Sequence, residues 1–227
     1  MRTFRGVVVA AVSAGALVSC TEQVAMPEKS NEPTVTRSPS AEPTPTPSPT
    51  GPAISDGRPR NARLTIPEIG VDDLRVISYR GFTDDGRGTV IQNRGRAASP
   101  HGPDGGVGPG GIGNYQVTAH RLSSTQAFLK LPRLRRGDRI EVEAGDIRYV
   151  YEVTKTRRVS FRSPASLGKQ RAEVPGKPAA VADRAYITLS TCATPEDHAA
   201  GNFWSDEFGN PEHRIDKIGE LVATEPR

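Results

Sequence analysis

The sequence predicts an all-β domain of eight short strands, closed into a barrel or packed as a sandwich, and three observations carry that prediction. From Ala62 onward, short apolar runs alternate with Gly, Pro and Asp punctuation. No segment of about 12 residues sustains a helical spacing of apolar residues. Aromatic residues are scarce, while the chain holds 23 Gly and 20 Pro, which suits a turn-rich domain carrying a disordered arm.

The strands fall in order over residues 63–66, 71–79, 89–93, 114–120, 139–144, 147–156, 185–191 and 214–224. Ala144-Gly145-Asp146 sits between two of them and reads as a hairpin turn. Helix is expected in one place. Phe128, Leu131 and Leu134 share a helical spacing within 123–134, and Pro132 limits that helix to about two turns. Three long connections remain. Residues 95–113 hold eight glycines and are expected to be mobile, 157–184 contain three prolines, and 193–213 hold Phe203, Trp204 and Phe208 among acidic residues. The aromatics of this last loop are expected to pack onto the barrel, with a wall or lid over a neighbouring site as the alternative.

The N-terminal part is of another kind. Arg2 and Arg5 precede an apolar stretch from Gly6 to Val18, the pattern of a secretory signal. That stretch is too short for a spanning helix of about 18–20 residues. Leu17-Val18-Ser19-Cys20 resembles a bacterial lipobox, so Cys20 is the expected lipidation site, with an uncleaved signal anchor as the alternative. Residues 21–61 centre on a Ser/Thr/Pro repeat that cannot form a core. Extended at about 3.1 Å per residue, such an arm reaches roughly 100 Å. The expected organisation is therefore a signal over 1–20, a disordered linker over 21–61 and a folded domain over 62–227, working outside the cytoplasm at the membrane. The formal net charge of +4 is dispersed and leaves no footprint for nucleic acid. Arg133, Arg135, Arg136 and Arg139 read as a solvated face.

Chemistry enters at the ends of two strands. Along 114–120, Tyr115, Val117 and Ala119 share one face, and Gln116, Thr118 and His120 the other. Along 185–192, Ile187, Leu189 and Thr191 alternate with Tyr186, Thr188, Ser190 and Cys192. If the strands are neighbours, His120 and Cys192 lie together on an outer polar face. A thiolate is a strong nucleophile, and a nearby imidazole can take and return a proton. Cys192 and Cys20 stand in such different settings that no disulfide is expected between them.

Thr188-Leu189-Ser190-Thr191-Cys192 resembles the TLxTC signature of sortases, and 114–121 resembles their histidine strand. Leu64-Thr65-Ile66-Pro67 is similar to their opening strand, and the stretch from Phe128 to Ile140 to the region between His and Cys. The resemblance covers about 63–222. It implies an eight-stranded barrel with one or two short helices. It also implies attack of Cys192 on a Thr–Gly bond in an LAXTG- or LPXTG-type sorting signal, then transfer of the thioacyl group to a cell-wall amine. The Gly-rich lead-in is similar to class E members. The family's arginine maps to Arg214, with an interval from the Cys longer than usual and Arg121 as the next candidate. Thr118, Ser190 and Thr191 are assigned to substrate binding. The resemblance implies no cofactor or metal. The expected partners are secreted proteins bearing a sorting signal and a wall-precursor amine, and the expected state is a monomer. The competing reading is a non-catalytic, extracellular peptide-binding lipoprotein on the same barrel.

Overall fold

A computed structural model describes residues 51–227. The signal, Cys20 and most of the arm lie outside the described residues. Eight strands close a barrel: β1 (Ala62–Ile66), β2 (Val71–Arg80), β3 (Ala97–His101), β4 (Gly113–Thr118), β5 (Arg139–Ala144), β6 (Ile147–Ser160), β7 (Ala185–Cys192) and β8 (His213–Pro226), in the spatial order β1-β2-β3-β4-β7-β8-β6-β5. Closure removes every exposed sheet edge. The interior is filled by alternate residues of the strands, with Leu64, Ile66, Tyr115, Val117, Val142, Tyr151, Ile187 and Leu189 among the core.

Seven of the eight expected strands occur, and the third is a correction. Residues 89–93 belong to a helix, α1 (Gly86–Asn93). Asp85 caps it by accepting the Gly88 N–H at 2.7 Å, and this local bond outweighs the β-branched run Thr89-Val90-Ile91. The true third strand is Ala97–His101, inside the expected loop. It pairs parallel with β2 from Val76↔Ala97 to Arg80↔His101. Its residues Ala-Ala-Ser-Pro carry no alternation to read, because the strand is covered on both faces and small residues fill it.

The remaining glycines of 95–113 serve close backbone approach. Gly108 donates to the Gly57 carbonyl at 2.7 Å, and a Cβ on Gly108 would overlap the Arg58 carbonyl. Ser55 bonds Gly110 O and Pro109 O, and the Ala53 carbonyl accepts from Thr224. The last residues assigned to the linker are thus fastened to the barrel, from Ala53 rather than from Ala62.

Helix over 123–134 reduces to one 3-10 turn, Leu131–Arg133. Phe128, Leu131 and Leu134 are all buried, so the apolar spacing reported burial and not helix. Two further helices occupy the other connections: α2 (Pro164–Arg171) and α3 (Thr194–Ala199). Ser163 caps α2 by accepting the Ser166 N–H, with Pro164 opening the helix.

Candidate active site

β4 and β7 are parallel neighbours in register, Gln116↔Thr188 through Thr118↔Ser190. Two residues beyond the C-terminal end of that ladder stand His120 on one chain segment and Cys192 on the other. β7 also pairs antiparallel with β8, and there Cys192 lies directly opposite Arg214. One end of the barrel wall therefore gathers all three expected residues, although 22 positions of chain separate the Cys from the Arg.

The contacts among them are specific. Arg214 Nη1 donates to the Cys192 sulfur at 3.2 Å, and Arg214 Nε to Asp84 Oδ2 at 2.8 Å. The Phe161 ring lies 4.3 Å beneath its guanidinium. Arg214 is 1% exposed, and its Nη2 has no hydrogen-bond partner among the described residues. Asp84 is itself buried, with a left-handed φ of 59°, and its other oxygen accepts from Gln92 at 3.0 Å. His120 makes its hydrogen bond to Asn93, Nε2 to Oδ1 at 2.7 Å, rather than to the thiol. Burial pushes the Cys192 thiol above its ordinary range, against the pull of Arg214. Burial likewise lowers the His120 imidazole, with Asp84 opposing. The resting pair near neutrality is thiol and neutral imidazole.

Arg121, the second candidate, turns elsewhere. It donates to the Cys192 carbonyl at 3.2 Å and holds Glu196 on α3 through both nitrogens. His213 is committed to Asp197, which also pairs with Arg158. These contacts clamp α3 immediately after the Cys.

The polar face is a second correction. Gln116, Thr118, Thr188 and Ser190, expected on an outer polar face, are all buried, and so is Asn114. The α2 segment covers part of this face: Asn114 donates to the Gln170 and Ala172 carbonyls, and Gln170 donates to Ser190 and to Asp216, while Gln116 accepts from the Thr83 hydroxyl. Thr118 bonds the Ala98 carbonyl and Thr191 the Ala119 carbonyl. The Thr118 and Thr191 hydroxyls thus bond backbone carbonyls within the wall, and the Ser190 hydroxyl bonds Gln170 of α2. The loop 200–212 also departs from expectation. Phe203, Trp204 and Phe208 stand exposed instead of packing onto the barrel, and the loop is braced by Asp206, which accepts from the Phe208 and Asn210 amides.

A closed β-barrel with a thiol, an imidazole and a buried guanidinium at one end defines a β-barrel protein equipped for acyl transfer through cysteine. Residues 64–204 match the family model for the Sortase domain, more than half of the chain, and the chain belongs to the sortase family of cysteine transpeptidases. Similar structures include the SrtA sortase from Actinomyces oris (22% identity, 79% of this chain and 88% of that one, TM-score 0.56). Sortase E1 from Streptomyces coelicolor, with a tripeptide in its active site, aligns at 23% identity over 77% and 94%, TM-score 0.53. The SrtF sortase from Corynebacterium diphtheriae aligns at 19% over 82% and 94%, TM-score 0.53. At these identities the likeness is one of fold. No curated protein sequence matches the chain.

Proposed function

We propose that Cys192 is the nucleophile, His120 the acid and base, and Arg214 the oxyanion partner of a transpeptidase acting on LAXTG- or LPXTG-type sorting signals. The observation that carries this reading is the Arg214 side chain. One of its nitrogens touches the sulfur while another, buried, has no partner. A donor so placed suits the carbonyl oxygen of a bond under attack by that sulfur.

The thiolate adds to the Thr carbonyl carbon, and negative charge builds on the oxygen facing Arg214. The C–N bond to glycine then breaks, and His120 gives its proton to the departing amine. An acceptor amine attacks the thioester, His120 takes its proton, and the thiolate leaves. The active form carries thiolate and imidazolium together, a minor population given the directions of the two pKa values. Asp84 serves this reading as a positioning residue, since it fixes the guanidinium edge opposite the one offered to substrate. Sequence Asp-Asp-Gly (84–86) carried only a generic turn signal.

In the cell we place the enzyme outside the cytoplasm as a monomer, held through lipid on Cys20 and spaced by the Pro-rich arm, with a wall-precursor amine as acceptor. The class E resemblance favours LAXTG, and the tripeptide in the class E neighbour is consistent with a peptide-binding barrel. Cys192→Ala is expected to abolish cleavage of a fluorogenic LAXTG peptide. Turnover by that variant at the wild-type rate would refute the assignment.

A further inference from the structure

Four non-glycine residues among those described hold a left-handed backbone: Asp73, Asp84, Ser124 and Gln126, with φ between 49° and 59°. Such conformations persist where the surroundings enforce them, often at ligand sites. Asp84 belongs with Arg214. The other three surround one cavity of about 580 Å³, which Asp73 and Gln126 line and Ser124 flanks through Thr125. Its walls are the turn leading into β2, the α1–β3 connection and the segment that follows His120.

Arg75, Arg94, Arg96 and Lys130 all line this cavity. Among the described residues, none of the four has a carboxylate within salt-bridge distance. Of the two acidic residues in the wall, Asp73 is already paired with Arg63, which leaves Asp72 against four cations. Leu74, Ala127 and Leu129 add an apolar patch. The wall is fitted closely, since a Cβ on Gly95 would stand 2.6 Å from the Thr125 methyl.

We propose that this cavity binds a phosphate-bearing ligand, with the cations on one or two phosphate groups and the apolar patch against the attached moiety. Guanidinium forks match phosphate oxygens in pairs. Four cations exceed what one carboxylate neutralises. The volume is that of a small-molecule site. The ligand would rest against Arg94, next to Asn93, whose side chain holds His120 and whose carbonyl accepts from Ser124. The site lies outside the proposed catalytic cluster, and its test does not depend on transpeptidation.

The full-length protein in a non-ionic detergent is titrated by calorimetry with inorganic pyrophosphate and, separately, with short-chain dihexanoyl phosphatidic acid below its micelle threshold. Saturable binding to one site is expected. Arg75→Glu with Arg96→Glu should weaken it roughly tenfold or more, while Arg135→Glu with Arg136→Glu, on an exposed basic face, should leave it unchanged. Tighter binding of pyrophosphate identifies a soluble phosphate ligand, and tighter binding of the lipid a headgroup. Leu129→Trp, which fills the cavity without altering charge, must also weaken binding and covers the case in which the double variant misfolds. Absence of saturable binding by either probe, or equal weakening by both arginine pairs, overturns the proposal.

Discussion

Replacing Asp84 by Asn tests how the guanidinium is held. Asp84 and Arg214 are 7% and 1% exposed, and their bond is 2.8 Å long. Asn keeps the shape and one acceptor oxygen but discards the charge. Arg214 stays charged, so its bond to the amide oxygen falls from the top toward the bottom of the range for charged hydrogen bonds, about 1.5–3 kcal/mol, a loss of roughly 1–1.5 kcal/mol of orienting energy. If that energy is expressed at the transition state, acylation slows roughly five- to tenfold. The direction of two titrations separates this from general loosening. Asp84 raises the His120 imidazole against the lowering by burial, so Asp84→Asn should move the imidazole further down. Loosening would rehydrate the ring and move it up. Both changes lower the thiol, so the histidine titration, followed by NMR, is the one that decides. A kcat/KM within twofold of wild type, or an imidazole that moves up, would show that Asp84 does not hold the guanidinium for catalysis.

Two further predictions follow from neighbouring contacts. Asn93→Ala removes the only hydrogen bond of the His120 ring among the described residues. A loss of about 0.5–1.5 kcal/mol should reduce kcat roughly three- to tenfold, with KM for peptide nearly unchanged in steady-state assays. Asp216 is fully buried, and burial pushes its carboxyl up to about 6 from an ordinary 3.8. The folded protein then holds a proton that the unfolded chain releases, so the stabilisation is present below about pH 4 and lost as pH rises through 6. Asp216→Asn should therefore be more stable than wild type above pH 6, by up to about 3 kcal/mol, and show no such gain at pH 4. Urea unfolding at the two pH values checks it, and a variant less stable than wild type at pH 7.5 would contradict it.

The barrel was legible where strands bury one face and turn at Gly or Asp. The alternation of Tyr115, Val117, Ile187 and Leu189 identified core residues correctly. It failed where small residues are covered on both faces, as in Ala97–His101, and where a cap decided the conformation, as at Asp85. The polar residues of β4 and β7 misled for a physical reason: alternation tells which residues share a face, and cannot tell that a distant helix covers it. Gln170 of α2 supplies part of that cover, against Asn114 and Ser190, and Thr83 another part, against Gln116. Cys192 and His120 were singled out because each ends a strand in a recognisable run, Arg214 only through the family resemblance, and the fold brings all three to one end of the barrel wall. Asp84 was not singled out, since its partner is 130 positions away and only folding joins them.

The most direct measurement is the intact mass of the purified protein after incubation with LAXTG and LPXTG peptides, with and without an amine acceptor. A thioacyl adduct is expected that maps to Cys192, is lost in Cys192→Ala, and is released as the amine conjugate when acceptor is supplied. A peptide cleaved without passing through Cys192, or bound intact with no adduct at any pH between 6 and 9, would contradict the assignment of Cys192 as nucleophile.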